Sequence, residues 1–166
     1  MRISSLEEYG LRCMLALARQ GTAGQLSISD IAELEGLSAP YASQLLAILR
    51  KAKLVTAVRG RTGGFCISRE PGTITLLEVM TALGGPLIDP DHCARFRGQR
   101  ETCVHGDNCS VHHVLDTLAS YIGDILGRTT LEDLVNHRET RRTAVPTIIP
   151  PEDLISSGSN TTDISG

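Results

Sequence analysis

The segment SISDIAELEGLSAPYASQLLAILRK, residues 27–51, contains two helical patterns separated by a short turn. The first pattern spans 31–35 and can be capped by Ser27 or Ser29. It ends at Gly36, because glycine adopts the left-handed conformation of a helix C-cap at low steric cost. A short helix, a glycine-containing turn and a second helix make the helix-turn-helix pattern, whose second helix enters the major groove of DNA.

The second helix begins at Ser38, whose side chain can accept a hydrogen bond from the first turn, and it runs to about residue 52. Pro40 lies in the first turn, where its missing N–H costs no helical hydrogen bond. The leucine and isoleucine side chains of this helix can face a core, which leaves polar and aromatic side chains outside. The outward candidates for DNA contact are Ser38, Tyr41, Gln44 and Arg50.

Two runs rich in β-branched and aromatic residues, 54–58 and 65–68, follow the second helix. The stretch RGRTGG, residues 59–64, lies between them, and this order predicts a β-hairpin with a basic tip. A hairpin directly after a recognition helix is typical of the wing of a winged helix. Such a wing can place an arginine, here Arg59 or Arg61, in the minor groove.

Five cations fall within the twelve residues 50–61, with no acid among them. They are Arg50, Lys51, Lys53, Arg59 and Arg61. Such a cluster is either a solvated face or a phosphate-binding surface. Its position at the end of the recognition helix and on the wing favours double-stranded DNA as the partner. A helix-turn-helix that contacts another protein is the alternative.

The whole chain has 166 residues, of which 41% are apolar, and a net charge of −3. This size and composition predict one domain, or a small domain with an appendage, and exclude wholesale disorder. Residues 1–85 carry nine Lys and Arg against seven Asp and Glu, whereas 86–166 carry seven against twelve. The basic half is therefore the half with the helix-turn-helix. Three Tyr, two Phe and no Trp argue against a base-stacking platform for RNA.

A membrane partner is not expected, because the longest uncharged stretch, 36–49, is shorter than the roughly 18 residues that a membrane span needs. The apolar run 13–18 is also too short for the core of a signal peptide. These two observations predict a cytoplasmic protein.

Helical periods also predict a first helix that begins at Ser5 and stops at 20–21, and another over about 75–83. The predicted fold is therefore mainly α with a small β-hairpin wing. Residues 1–85 are expected to form the winged helix-turn-helix domain.

Apolar residues recur at three- and four-residue steps near the end of the chain and predict a long amphipathic helix. They are Val111, Val114, Leu115, Leu118, Tyr121, Ile122, Ile125 and Leu126. Because a three-helix winged domain buries its own core, we expect this stripe to pack on a second copy in a twofold homodimer. Packing on its own domain is the alternative. The dimerisation helix and a short following helix take residues 112–137, and 138–166 is expected to be a disordered tail.

The stretch 86–111 has no regular period, and a loop of this length in a compact domain is commonly functional. Cys93, Cys103 and Cys109 lie in it, and His112 follows. Thiolates and an imidazole that converge can bind zinc or an iron–sulfur cluster. The lack of a Cys-x2-Cys knuckle favours a cluster, which accepts wider intervals, without excluding zinc. Three unrelated free thiols are the remaining alternative.

Of the other two cysteines, Cys13 falls on the apolar face of the first predicted helix and Cys66 follows Phe65 in a predicted strand. We assign both to packing. The sequence contains no nucleophile motif, glycine-rich phosphate loop or HExxH motif. An enzyme is therefore not expected.

Short motifs along residues 1–137 resemble the IscR/NsrR family of bacterial winged-helix regulators. They are MRIS (1–4), DIA (30–32), LS (37–38), Tyr41 with QL (44–45), LRK (49–51), LV (54–55), VRG (58–60), GGF (63–65) and CVHGDNC (103–109). The resemblance implies a regulator that dimerises through its long helix and senses through an iron–sulfur cluster. It also implies that three residues face DNA, namely Tyr41, Gln44 and Arg59.

The same resemblance implies four cluster ligands, which are Cys93, Cys103, Cys109 and His112. The interval between the first two cysteines is longer here than is usual in the family. Relatives that sense nitric oxide use an N-terminal carboxylate of the partner subunit instead, and Glu8 stands where such a carboxylate could reach. His112 is preferred over Glu8 as the fourth ligand, and His113 comes third. By analogy, one imidazole with three thiolates favours a 2Fe-2S over a 4Fe-4S cluster.

The expected protein is a homodimeric DNA-binding transcriptional regulator whose operator binding is controlled by an iron–sulfur cluster. The sensed signal is redox state, nitric oxide, or cluster and iron status. The first alternative is a zinc-structured winged-helix repressor. A small redox protein is less favoured, because it would not need a basic wing.

Overall fold

The computed structural model describes residues 3–60, 63–87, 95–97, 99–105 and 109–136. In this part of the chain the elements follow in the order α1 (Ser5–Ala18), α2 (Ile28–Glu35), α3 (Ala39–Lys51), β1 (Val55–Val58), β2 (Gly64–Ile67), a 3-10 turn (Pro71–Thr73), α4 (Leu76–Gly84), α5 (Ser110–Arg128) and α6 (Leu131–Val135). The two strands form an antiparallel hairpin. The prediction of a mainly helical fold with a β-hairpin wing is confirmed.

Local hydrogen bonds define the ends of the helix-turn-helix. Ser27 and Asp30 form a capping box, so α2 begins at Ile28 rather than at residue 31, where its apolar period starts. Gly36 ends α2 with a φ of 65°, in the left-handed region that suits glycine. Ser38 then caps α3. The turn between the two helices is therefore set by residues adjacent to it.

The core is aliphatic and is centred on α1, which contacts α3, α4 and α6. Residues with no exposed surface come from each of these helices, from α2 and from the segment that leads into α4. They include Met14, Leu17, Ile31, Leu45, Leu46, Leu49, Ile74, Val79 and Leu131. Because α3 buries one continuous leucine face against α1, its opposite face is presented to solvent in a fixed orientation.

The wing, which comprises β1, β2 and the connection between them, is attached to the domain by backbone hydrogen bonds. Val55 pairs with Ile67 at its base. Phe65 also pairs with Leu26, and its N–H donates to the Leu26 carbonyl at 2.8 Å while the Leu26 N–H returns a bond of 3.0 Å. Strand β2 thus lies between β1 and the segment that leads into α2, so the base of the wing is fixed relative to the helix-turn-helix.

The last short helix, α6, returns to the core of the winged domain. Leu131 is wholly buried, and its N–H donates to the Ile74 carbonyl at 3.0 Å. The Leu76 N–H donates to the Thr129 carbonyl at 2.9 Å in the opposite direction. The segments before α4 and after α5 are therefore joined, although they are far apart in sequence.

Helix α5 is 19 residues long and contacts α4. It begins at Ser110, at the end of the cysteine-containing stretch. Within the described part of the chain, no helix is both long enough and apolar enough to cross a membrane. The predicted tail, 138–166, lies outside the described residues.

Gly64 lies where β2 passes closest to the backbone before α2. A Cβ atom at this position would lie 2.4 Å from the carbonyl oxygen of Leu26, and a backbone oxygen cannot move away without breaking the Leu26–Phe65 pair. We therefore expect Gly64→Ala to lower the free energy of unfolding by about 1 to 3 kcal/mol, as overpacking does. Thermal unfolding followed by circular dichroism measures the change.

Gly127→Ala is the matched control, because a Cβ atom there would meet only Leu77, at an ordinary 3.7 Å. This substitution in a helix is expected to be neutral or to stabilise by up to about 1 kcal/mol. If Gly64→Ala unfolds at the same temperature as the parent, the close approach of the two backbones is not a constraint on the fold.

Candidate nucleic-acid interface and cysteine loop

The residues that α3 exposes are determined by those that it buries. Ala42, Leu45 and Leu49 are wholly buried against the core, and Gln44 and Arg50 are consequently exposed. Both positions lie outside the buried face of α3, as the helical period predicts. The Gln44 amide can both donate and accept hydrogen bonds, and Arg50 ends the helix with a positive charge.

Tyr41 differs from the sequence-based expectation that it points outward, because it is half-buried. Its ring meets the Tyr9 ring edge-to-face, with centroids 6.1 Å apart and planes at 81°. The Arg12 guanidinium in turn lies over the Tyr9 ring, 5.4 Å from its centroid. Packing against α1 therefore orients Tyr41 and leaves only part of its surface for contact with DNA.

Ser38 is exposed and its side-chain oxygen accepts a hydrogen bond from the Tyr41 N–H at 3.4 Å. Its hydroxyl hydrogen is not used in this cap and can be donated to another acceptor. Arg59 is exposed at the end of β1, where the wing begins. Arg61 lies outside the described residues.

A shallow surface depression connects the C-terminal end of α3 to the base of the wing. Three cationic side chains line it, from Arg50, Lys53 and Arg59. Thr56 and Ser68 are among its remaining described residues, and no Asp or Glu is. Lys53 belongs to the basic cluster 50–61, but the sequence pattern alone does not mark it as a DNA-contacting residue. Its place in this depression distinguishes it from Lys51, which is exposed but does not line the depression.

The cysteine-containing stretch is described in part, and Cys93 lies outside the described residues. Cys109 caps the N-terminus of α5, and its sulfur accepts a hydrogen bond from the His112 N–H at 3.5 Å. Nε2 of His112 lies 3.0 Å from Oδ2 of Asp116, one helical turn further along. Cys103 and Cys109 are both half-buried.

Among the described residues, no three His, Cys, Asp or Glu side chains form a group that could bind a metal ion. Of the four candidate ligands, Cys109 and His112 lie on the same turn at the start of α5, and the contact between them is made by the His112 backbone N–H and not by its imidazole. The donor types suit iron, since thiolate and imidazole are both ligands of iron–sulfur clusters. His113 is exposed on the same turn of α5.

Glu8, the other candidate for a fourth ligand, lies on α1 and forms an ion pair with Arg12 at 2.9 Å. Both side chains are about half exposed, and such an i,i+4 pair contributes only a few tenths of a kcal/mol. The carboxylate is therefore not committed to the fold. The structure leaves Glu8 open as a ligand.

The two remaining cysteines differ in burial. Cys13 is wholly buried, and burial, together with the nearby Glu35 carboxylate, raises the pKa of its thiol to about 11. The thiol is therefore protonated and unreactive near neutral pH. Cys66 is half-buried on β2, and its sulfur lies 3.8 Å from the Thr56 carbonyl across the hairpin.

The apolar residues of α5 divide between two faces. Leu126 packs against the core. Five others retain 40 to 68% of their accessible surface, namely Val111, Val114, Leu118, Tyr121 and Ile125. Their spacing alternates between three and four residues, so they form one stripe along the helix, which we call the α5 stripe.

Comparison with known proteins agrees with this architecture. The model of the Rrf2 family, described as "Iron-dependent Transcriptional regulator", matches residues 3–137. The HTH-type transcriptional regulator IscR of Xenorhabdus nematophila is 35% identical over 139 residues, which cover 84% of this chain and 82% of that protein.

Two solved structures are similar to this chain over most of its length. IscR of T. potens gives a TM-score of 0.66 at 32% identity and covers 87% of this chain and 93% of its own. CymR, the global cysteine regulator of B. subtilis, gives 0.64 at 29% identity, with coverage of 84% and 99%.

The winged helix-turn-helix and its basic outer surface define a DNA-binding transcriptional regulator. The chain belongs to the Rrf2 family. Members of this family regulate transcription and are not enzymes, in agreement with the sequence-based expectation.

Proposed function

We propose that this regulator is a homodimer whose operator binding is controlled by an iron–sulfur cluster. The observation that carries the proposal is the position of Cys109 and His112. Both lie at the first turn of α5, the same helix that carries the exposed α5 stripe. A restraint on these two side chains would act directly on the start of the helix proposed for dimerisation. The description of the matching family as iron-dependent supports the choice of metal.

The proposed DNA surface consists of the outer face of α3 and the wing. Gln44 is the candidate for base contacts in the major groove, because a side-chain amide can form two hydrogen bonds with a base edge. Arg59 is the candidate for the minor groove. The remaining proposed contacts are those of Ser38, Tyr41, Arg50 and Arg61, of which the last lies outside the described residues.

The α5 stripe is the proposed dimer interface. Five apolar side chains in one stripe are exposed in the single chain, and their alternating spacing of three and four residues suits packing against an identical helix. A twofold axis through this stripe would place the two α3 helices symmetrically. The operator is then expected to be a pseudo-palindrome with half-sites about one helical turn, or a multiple of it, apart.

The proposed cluster ligands are Cys93, Cys103, Cys109 and His112, with a 2Fe-2S cluster as the favoured type. Thiolates and one imidazole are a ligand set that such clusters accept. The contact between His112 and Asp116 supports His112 over Glu8, because histidine ligands are commonly oriented by a carboxylate on their second nitrogen. When bound, the cluster would supply iron that exchanges electrons.

The chain itself supplies a route from the candidate ligands to the DNA surface. Cys109 and His112 begin α5, α5 contacts α4, and α4 contacts both α1 and α3. A change in the order of residues 86–111 would therefore alter how α5 sits between the two subunits. In the dimer this alters the distance and tilt between the two α3 helices, which selects between states of different operator affinity.

For DNA recognition, we expect Arg59→Ala to weaken operator binding by about 1 to 3 kcal/mol, because the contact of its guanidinium in the groove is lost. Gln44→Ala should instead relax the sequence preference. Footprinting titrations on an operator selected by the parent measure both effects. Arg19→Ala is the control, because Arg19 is exposed and lies neither on α3 nor on the wing. If both variants bind like the parent, α3 and the wing do not recognise the operator.

For dimerisation, we expect Leu118→Asp to sediment as a monomer, because it places a charge in the middle of the α5 stripe. Ser120→Asp is the control, since Ser120 is exposed on the same helix outside the stripe. Analytical ultracentrifugation of both variants distinguishes the outcomes. A Leu118→Asp protein that remains a dimer would remove the α5 stripe from the interface.

For the cluster, we expect anaerobically purified protein to be coloured and to contain iron and sulfide. His112→Ala should make the cluster labile, and His113→Ala, on the same turn, should leave its spectrum unchanged. His112→Cys should retain a cluster with a shifted potential, because a fourth thiolate adds negative charge.

Two other results would contradict the ligand set or the cluster itself. If Glu8→Ala bleaches the protein and His112→Ala does not, the fourth ligand is the N-terminal carboxylate. A colourless protein with stoichiometric zinc would identify a zinc-structured winged-helix repressor instead.

A further inference from the structure

Lys53 has an unusual backbone conformation at the end of the recognition helix. Its φ is 60°, and it is the only residue other than glycine with a positive φ in the described part of the chain. In this left-handed region a side chain with a Cβ is crowded by the backbone, and glycine is not. The chain therefore accepts a conformational cost at this position.

The hydrogen bonds at Lys53 do not require a lysine. The Lys53 N–H donates to the Arg50 carbonyl and the Leu54 N–H to the Leu49 carbonyl, both at 3.0 Å, which is the pattern of a Schellman cap. Glycine is the usual residue at this place in the cap, and Gly36 occupies the left-handed position after α2 with a φ of 65°. A glycine would therefore satisfy the local structure better than the lysine does.

The surroundings of the Lys53 side chain indicate a role in binding an anion. It lines the basic depression together with Arg50 and Arg59. Among the described residues, none of these three cations forms an ion pair, and no carboxylate lines the depression. The hydroxyls of Thr56 and Ser68 on its lining are further hydrogen-bond donors. Three uncompensated positive charges at one concave place form a site for a negatively charged group.

The position of the depression identifies that group. It lies between the C-terminal end of α3 and the base of the wing. If α3 enters a major groove and the wing the adjacent minor groove, the sugar-phosphate strand that separates these grooves must pass between them. The depression lies on that path. Phosphate contacts of this kind set the register of a protein on the duplex without reading its sequence.

We propose that the depression binds a backbone phosphate of the operator and that Lys53 is the positioning residue that fixes this contact. This inference rests on the proposed DNA surface and adds a residue and a role to it. The strained cap is then explained by the function of the side chain. Lysine supplies a charge at a point where glycine would supply only the turn.

The test uses the full-length protein, purified anaerobically, with an operator selected from random duplexes and a mixed-sequence duplex of equal length. Lys53→Gln removes the charge, and Lys53→Gly removes both the charge and the strain. Lys51→Gln is the matched control, because Lys51 is exposed two residues earlier and does not line the depression. Kd is measured at several salt concentrations, and Tm is measured for each variant.

Loss of one phosphate contact should lower the slope of log K against log salt by about 0.9 and weaken binding about fivefold near 0.15 M salt. We expect this for both Lys53 variants and on both duplexes, with a smaller effect for Lys51→Gln. The Tm of Lys53→Gly should equal or exceed that of the parent. A loss of affinity without a loss of stability distinguishes a phosphate contact from a structural role.

Two results overturn the inference in distinguishable ways. If the parent binds DNA and both Lys53 variants keep the parental slope, the phosphate site is wrong and the proposed function stands. If the parent binds neither duplex at any salt concentration, the proposed function fails, and the phosphate site fails with it.

Discussion

Two backbone hydrogen bonds hold the C-terminal end of α5 on the winged domain, and the arrangement of both candidate sites depends on them. The amides of Leu76 and Leu131 donate to carbonyls of the opposite segment at 2.9 and 3.0 Å. Leu131 is wholly buried directly beside them, so separating α5 from the domain would expose a core leucine and leave two amides without their partners. The long helix is thus fixed at this end as an extension of the aliphatic core.

The other end of α5 carries the candidate ligands. A helix of 19 residues spans about 28 Å, so Cys109 and His112 lie far from the anchored end. The α5 stripe runs between the two ends and is exposed in the single chain. The proposed ordering of the first turn would therefore act on the helix proposed to join the subunits, at the end opposite its attachment to the winged domain. In this geometry one helix connects the cysteine-containing stretch to the winged domain, which is what the proposed control of DNA binding requires.

The DNA surface depends on where charge is located and very little on how much the chain carries. The net charge is −3, yet Arg50, Lys53 and Arg59 converge at one depression with no described carboxylate lining it. Their convergence requires both the end of α3 and the start of the wing, and the Leu26–Phe65 backbone pair fixes these relative to each other.

The sequence by itself determined the helix-turn-helix, the wing and the long amphipathic helix, because caps such as Ser27, turns such as Gly36 and apolar periods are local signals. It also located the cysteine-rich stretch and most of the candidate DNA contacts. Only the tertiary structure decided that Tyr41 is half-buried, that Leu131 completes the core, and that Lys53 faces the basic depression. Each of these depends on contact between segments that are distant in sequence or on the path of the backbone after a helix end. Contacts between distant segments and the path of the backbone after a helix leave no periodic pattern in the sequence, because packing in three dimensions sets them.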